Sequence, residues 1–152
     1  MLDLSVGLCG PAKRVLANVR RLGSNLANGD TLSILVDFES GANALISAIL
    51  ETPFDGRFAV YGSKGWAEVR DKSHPQDPKG WTLLTCLEAG KIVSTDYPAA
   101  FAVRDNLEAF ADAAAGTAPY PVPQDEMIWN IAALEAIVKS TASGAVEAVA
   151  SQ

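Results

Sequence analysis

Short segments with alternating apolar and polar residues follow one another from Arg14 to about Tyr97. One of them, Thr31 to Glu39, places every second residue on the same face of an extended chain. The apolar residues on that face are Leu32, Ile34, Val36 and Phe38. A turn at Glu39-Ser40-Gly41 and a second alternating segment, Asn43 to Glu51, complete a predicted β-hairpin.

Two further hairpins are predicted in the same stretch. Their paired segments are Arg57 to Tyr61 with Trp66 to Arg70, and Trp81 to Leu87 with Lys91 to Tyr97. Short turns at Gly62-Ser63-Lys64-Gly65 and at Glu88-Ala89-Gly90 join them, and strands joined in this way pair antiparallel. The intervening segment Asp71 to Gly80 holds two prolines and four charged residues, which indicates an exposed loop.

After Tyr97 the apolar residues recur at intervals of three or four, which is typical of helices. The first such segment carries Val103, Leu107, Phe110, Ala111 and Ala114. It is predicted to end at Gly116 and Pro119 and to cover the sheet. A short helix is also expected at the start of the chain, over Leu2 to Leu8.

A longer helix is predicted to begin at Pro123, because acidic residues such as Asp125 suit a first turn. Its apolar stripe, expected to be buried, is Met127, Ile131, Leu134 and Val138. Gly144 fits the position after the helix, and Ala145 to Val149 is predicted to form a final edge strand.

These segments predict an α+β fold with an open, mainly antiparallel sheet of about six to eight strands and two or three helices on one face. We see no internal repeat and no linker in the sequence. Residues 1–152 are therefore expected to form a single domain.

The charge of the chain argues against two classes of partner. The formal net charge is -6, so nucleic acid and anionic membrane surfaces would be repelled, and we expect neither as a partner. Cys9 and Cys86 are far apart and form no metal-binding pattern, so no metal site is predicted. A reducing compartment, the cytoplasm, is the expected location.

No complete catalytic or cofactor motif is present in the sequence. His74 is the only histidine, and it lies in the predicted loop; a hydrolase that uses it as a base is a third hypothesis. Gly62-Ser63-Lys64-Gly65 lacks the spacing of a phosphate loop, and no G-x-G-x-x-G dinucleotide fingerprint occurs. We therefore identify no catalytic, cofactor-binding or metal-binding residue.

Two places could contact a small polar ligand. Phe54, Asp55 and Arg57 share one turn at a predicted sheet edge, where a guanidinium and an aromatic ring could hold a polyhydroxylated molecule. Trp129 and Asn130 in the long helix are further candidates. For each place a plain alternative stays open, namely a polar turn with a buried Phe54 and simple helix packing by Trp129.

Three stretches in this order resemble the C-terminal domain of the Gfo/Idh/MocA (glucose-fructose oxidoreductase, inositol dehydrogenase, rhizopine catabolism) family. They are Asp30 to Ala42, Arg57 to Gly65 and Trp129 to Gly144. The resemblance implies an open sheet with helices on one face, and self-association through the other face into a dimer or tetramer. It also implies an oxidoreductase that uses NAD or NADP on a sugar, inositol or related polyol.

In full-length members of that family a Rossmann domain binds the cofactor, an E-K-P stretch supplies a catalytic lysine, and a G-x-H-x-x-D motif opens the C-terminal domain. Met1-Leu2-Asp3 matches the last three positions of H-x-x-D, so the histidine would fall immediately before Met1. The resemblance implies a supporting role for Asp3, which could equally be a plain helix-start carboxylate.

Besides the hydrolase, the sequence leaves two hypotheses of different classes. In the first, the chain is the substrate-side and oligomerisation domain of an NAD(P)-dependent dehydrogenase, inactive alone, with Asp3, Phe54, Arg57, Trp129 and Asn130 as candidate substrate contacts. In the second, it is a truncated stand-alone module that assembles or binds a small ligand without catalysis.

Overall fold

The structure, a computed structural model, describes residues 1–150. They contain three helices and eight strands. The helices are α1 (Leu2–Cys9), α2 (Ala102–Ala114) and α3 (Gln124–Ser143). The strands are β1 (Ala12–Arg20), β2 (Thr31–Phe38), β3 (Asn43–Ile49), β4 (Arg57–Gly62), β5 (Gly65–Asp71), β6 (Trp81–Glu88), β7 (Lys91–Tyr97) and β8 (Glu147–Ala148). The predicted α+β class is confirmed, and so are the three hairpins and the final edge strand.

The eight strands are hydrogen-bonded in two antiparallel sheets of four, in the orders β3-β2-β1-β8 and β4-β5-β6-β7. The chain correspondingly divides into two compact units. The first contains Met1–Thr52 and the segment from Pro121 onward, and the second is Pro53–Tyr120.

The first unit packs α3 against one face of its sheet, on β1, and α1 against α3. Strand β2 shows the predicted alternation, because Ile34, Val36 and Phe38 are buried while Ser33 and Leu35 are exposed. The buried cluster of this unit is Val6, Ala12, Val15, Ala17, Ile34, Val36, Phe38, Ala133, Ala136 and Ile137. Hydrophobic burial between α3 and the sheet therefore holds this unit together.

The buried face of α3 is not the one that its large apolar residues predict. Its buried residues are Ala132, Ala133, Ala136, Ile137 and Ser140. The predicted stripe of Met127, Ile131, Leu134 and Val138 is exposed. Small side chains let the helix lie close to β1, which explains why the face with less apolar volume is the one that is buried.

Helix α3 ends where the sequence predicts. Gly144 follows its last residue with φ 68°, and its N–H donates to the Ser140 carbonyl oxygen at 2.8 Å. A positive φ of this size is accessible to glycine without the steric penalty that a Cβ atom would bring.

A buried carboxylate organises the loop between β1 and β2. Asp30 is only 6% exposed, and it accepts hydrogen bonds from the backbone N–H groups of Leu22, Gly23 and Ser24 and from the Thr31 hydroxyl. These donors, with the Leu22 N–H contributing most, hold the pKa of Asp30 well below its usual range. Asp30 therefore stays charged at neutral pH and fixes the loop.

The second unit is a simple antiparallel sheet joined to α2. Gly62-Ser63-Lys64-Gly65 forms the turn of the β4–β5 hairpin, in which Gly62 pairs with Gly65. A Cβ atom at Gly65 would collide with the carbonyl oxygen of Cys86 on the neighbouring strand. This glycine is thus explained by the close approach of two strands.

Helix α2 forms where the sequence predicts, but the prediction that it covers the sheet is wrong for the part of the chain that the structure describes. None of its residues is buried, and Val103, Leu107 and Phe110 are exposed. Instead, the Phe110 ring meets the Tyr120 ring edge to face, with 6.2 Å between centroids. The helix therefore contacts the loop that follows it, and its apolar face stays open.

Candidate functional site

Helices α1 and α3 of the first unit border an open groove with a volume of about 440 Å³. It is lined by Asp3, Leu4, Gly7, Leu8, Val122, Glu126, Met127 and Asn130. On α1, Asp3 and Gly7 are one turn apart, and on α3, Glu126 and Asn130 are one turn apart, so each pair shares a helix face. The groove is thus lined by one polar side chain from α1, Asp3, and by two from α3, Glu126 and Asn130.

Gly7 lies beside a polar group of this groove. A Cβ atom at Gly7 would lie 3.5 Å from Oε2 of Glu126, so the carboxylate of Glu126 approaches the backbone of α1 closely. Any larger side chain at this position would extend toward Glu126 and fill space in the groove.

Asn130 carries an unused hydrogen-bond acceptor. Among residues 1–150, its Oδ1 atom is the one buried side-chain oxygen or nitrogen that has no hydrogen-bond partner. Such atoms are uncommon, because losing water without gaining a partner costs free energy. Because Asn130 also lines the groove, a ligand bound there would lie next to this amide group.

The acceptors of the groove define the ligand chemistry that fits it. Asp3 and Glu126 contribute carboxylate oxygens, and Asn130 contributes an amide oxygen and an amide NH₂ group. Leu4, Leu8 and Val122 supply an apolar wall. A small molecule with several hydroxyl groups matches this mixture of acceptors and apolar surface.

The structure brings two of the five predicted site residues together, Asp3 and Asn130. Trp129, next along α3, packs against the buried cluster instead, as the simple packing alternative predicts. The sequence interpretation missed Glu126 and Gly7 as groove residues. The four-residue spacing of Glu126 and Asn130 was the available signal, although it does not reveal which helix faces them.

Phe54 and Arg57 lie in the second unit, where Phe54 contacts a second aromatic ring and Arg57 lies near a carboxylate. The Phe54 ring is half-exposed and meets the His74 ring edge to face at 5.0 Å. Nη1 of Arg57 lies 4.0 Å from Oε2 of Glu68. His74 accepts a hydrogen bond at Nδ1 from the Gln76 N–H, at 3.2 Å, which gives it a role in holding its own loop.

Glu68 is the centre of the charged cluster beside Arg57. Its Oε1 atom accepts a hydrogen bond from Nε of Arg70 at 2.6 Å, and Arg70 also lies 3.7 Å from Asp55. The hydrogen bond from Arg70 to Glu68, followed by its charge, raises the pKa of Arg70 above its ordinary value. Arg57 therefore shares its carboxylate with a second arginine, and its guanidinium is half-exposed.

The described residues do not fit a nicotinamide cofactor. Dinucleotides bind where a parallel strand leads through a glycine-rich turn into a helix N-terminus. Both sheets within residues 1–150 pair antiparallel throughout.

Residues 1–150 also contain no group of three or more His, Cys, Asp and Glu side chains arranged to hold a metal ion. None of their helices is long and apolar enough to cross a membrane.

Residues 1–68 match the family model described as GFO/IDH/MocA C-terminal domain. The predicted resemblance is therefore confirmed. The matched segment contains Asp3 and Gly7 of the groove and the first four strands, β1 to β4. Comparison with curated proteins gives no match.

Solved structures share the fold along nearly the whole chain. A protein from Desulfitobacterium hafniense, provisionally assigned as an NADPH-dependent oxidoreductase, is 21% identical with a TM-score of 0.83, and the match covers 97% of this chain and 45% of that one. The aldose-aldose oxidoreductase of Caulobacter crescentus complexed with glycerol is 20% identical with a TM-score of 0.74. That match covers 97% of this chain and 44% of the other.

A third structure is an oxidoreductase from Agrobacterium radiobacter in complex with NAD+, L-tartaric acid and magnesium, with 16% identity and a TM-score of 0.76. The match covers 97% of this chain and 46% of that one. This chain thus spans less than half the length of each of the three proteins. At these identities the comparisons with solved structures show a shared fold.

Proposed function

We propose that this chain is the substrate-side domain of an NAD(P)-dependent oxidoreductase acting on a sugar, an inositol or a related polyol in the cytoplasm. NAD or NADP would be held by a separate dinucleotide-binding domain. The chain alone is expected to transfer no hydride, because its residues do not fit the cofactor.

One observation carries the proposal: Asn130, whose buried Oδ1 has no hydrogen-bond partner among residues 1–150, lines the same groove as Asp3 and Glu126. A polyol hydroxyl can donate to the amide oxygen while its neighbours donate to the carboxylates. The glycerol and tartaric acid of the two related complexes are small hydroxylated molecules as well. Their chemistry supports a hydroxylated substrate, and Asp3 would position it.

The groove is expected to bind polyols through Asn130. Titration of the chain with myo-inositol, glucose or glycerol should perturb the NMR signals of Asp3, Gly7 and Asn130. Asn130→Ala should weaken this binding about fivefold, the effect of one hydrogen bond of about 1 kcal/mol.

Two variants make this test specific. Asn43→Ala changes an exposed asparagine on β3 and should leave the affinity unchanged. Gly7→Leu should abolish binding by filling the groove, while replacement of a helical glycine preserves the helix. Saturable binding that survives both Asn130→Ala and Gly7→Leu would exclude the groove as the site.

Phe54 and Arg57 remain candidates for a substrate contact of the second unit taken by itself. The half-exposed guanidinium of Arg57 could donate to hydroxyl oxygens, although Glu68 competes for it. Trp129 would act indirectly, by supporting Asn130 from the buried cluster.

A second candidate function is assembly without catalysis, and one feature of the first sheet favours it. Leu16, Leu35 and Leu45 are cross-strand partners on β1, β2 and β3, and their exposed fractions are 39%, 38% and 82%. They form an apolar row on the face opposite the buried cluster. We propose that this row, the leucine row, mediates self-association into a dimer or tetramer.

Leu45→Glu is expected to convert an assembled form into a smaller one, because a charge buried in an apolar contact is costly. Sedimentation velocity measures this as a lower sedimentation coefficient at equal concentration. Leu22→Glu alters a leucine that is 76% exposed in the β1–β2 loop and should not change it. A monomeric unmodified chain would refute assembly through the leucine row.

A further inference from the structure

The loop between β1 and β2 contains the one asparagine of the sequence that precedes a glycine. The sequence has six asparagines, and only Asn28 is followed by a residue without a side chain, Gly29. The others precede alanine, valine, leucine or isoleucine, whose side chains crowd the backbone nitrogen that follows the asparagine. The nitrogen of Gly29 is therefore the least hindered neighbour of an asparagine side chain in this sequence.

The position of Asn28 in the fold also differs from that of most other asparagines. Hydrogen bonds of helices and strands hold the backbone at four of them, which are Asn18, Asn43, Asn106 and Asn130. Asn25 and Asn28 lie in the β1–β2 loop, and both are exposed. Because Asn25 precedes Leu26, it is a natural comparison for Asn28 in the same loop and the same solvent.

We propose that Asn28 is a site of spontaneous deamidation and that its modification loosens the β1–β2 loop. The backbone nitrogen of Gly29 gives its proton to water and attacks Cγ of Asn28. The new C–N bond closes a succinimide ring, and the side-chain amide nitrogen leaves as ammonia. Water then opens the ring at either carbonyl carbon, which yields aspartate or isoaspartate. Water is the only co-reactant, and no atom changes its oxidation state.

The folded loop slows this reaction without preventing it. The Gly29 N–H donates to the Leu26 carbonyl oxygen at 3.1 Å, and this hydrogen bond must open before the nitrogen can reach Asn28. Gly29 has φ 84°, and a Cβ atom there would lie 2.8 Å from the Arg20 carbonyl oxygen. A side chain that would hinder the attack is thus excluded at this position. Exposed loops open far more often than a whole domain unfolds, so the reaction proceeds from the folded protein.

Modification of Asn28 acts on the carboxylate that organises the loop. Asp30, two residues further along, is 6% exposed and accepts hydrogen bonds from the N–H groups of Leu22, Gly23 and Ser24. A second carboxylate at position 28 adds a like charge near Asp30. Isoaspartate also lengthens the backbone before Asp30 by one CH₂ group. The loop joins the two central strands of the first sheet, so its loosening lowers the stability of the first unit.

Ageing of the purified chain tests the site. The protein is kept at physiological temperature and neutral pH for several weeks and then digested with trypsin. The peptide 22–57 contains Asn25, Asn28 and Asn43, and fragmentation in a mass spectrometer locates the deamidated residue within it. We expect aspartate and isoaspartate at Asn28, with little conversion at Asn25 or Asn43.

Two glutamine variants make this test specific. Asn28→Gln keeps an exposed amide at the same place, but its side chain is one CH₂ group longer and closes the ring far more slowly. The deamidation and the loss of stability with age should therefore both disappear. Asn25→Gln is the matched control and should leave both as they are in the unmodified chain. Equal conversion at Asn25 and Asn28, or conversion at neither, would overturn the proposal.

The deamidated chain itself tests the effect on the loop. Its extra negative charge allows separation from the unmodified chain by ion exchange. Hydrogen exchange at the N–H groups of Leu22, Gly23 and Ser24 should accelerate about tenfold or more, as expected when a hydrogen bond to a charged group is lost. Exchange in the β4–β5 hairpin of the second unit should not change. Unaltered exchange at these three residues would show that Asn28 does not control the loop.

Discussion

Phe38→Ala is expected to destabilise the first unit by about 3–5 kcal/mol. Phe38 is 2% exposed and belongs to the buried cluster between α3 and the sheet, so truncation leaves a cavity that close-packed neighbours cannot fill. The loss is a large part of a typical domain stability of about 5–15 kcal/mol. Urea denaturation combined with hydrogen exchange of peptides from β1 and β2 measures it for this unit.

Two matched variants separate cavity formation from other effects of the substitution. Phe38→Leu keeps most of the volume and should cost less than about 1.5 kcal/mol. Phe54→Ala removes a ring that is 47% exposed and should have a small effect on the first unit. If Phe38→Ala were no more damaging than Phe54→Ala, the buried cluster would not be what stabilises the unit.

The strands could be predicted from the sequence because their pattern is local. Period-2 alternation and short turns fix a hairpin without reference to the rest of the chain. This is why the partners of Thr31 to Phe38 and the turn at Gly62 to Gly65 are confirmed. The division of the strands between two sheets depends on contacts distant in sequence, and no local pattern reports them.

The faces of the helices could not be predicted in the same way. Apolar spacing in α3 gives two possible faces, and the larger side chains of Ile131 and Leu134 suggested the wrong one. The close approach to β1 selects the face with Ala133 and Ala136, because small residues allow a short distance between helix and sheet. Period alone therefore identifies a helix without identifying its buried side.

The groove residues, too, could be predicted only in part from the sequence. Asp3 was named from the resemblance and Asn130 from its place beside Trp129, yet their meeting depends on how α1 packs against α3. Glu126 was interpreted only as a favourable residue in a first helical turn, a role that its position in α3 still allows. Its second role, facing Gly7, follows from tertiary contact alone.

Ser140 is also expected to be essential to the first unit, although it is polar. It is fully buried; its Oγ accepts a hydrogen bond from the Ala17 N–H at 2.8 Å and donates one to the Ala145 carbonyl oxygen at 2.6 Å. Strand β8 pairs only with Arg14 and Val15 of β1. Ser140 therefore supplies the acceptor that a longer edge strand would have given Ala17.

Ser140→Ala should lower the free energy of unfolding by about 1–3 kcal/mol, because it leaves the buried Ala17 N–H without an acceptor. Urea denaturation measures the loss, and hydrogen exchange at Ala17 should accelerate more than exchange at residues farther along β1. Ser47→Ala, at an exposed serine on β3, is the matched control and should change neither. Equal stability of the two variants would mean that water replaces the serine hydroxyl, and that β1 does not depend on α3 for its edge hydrogen bond.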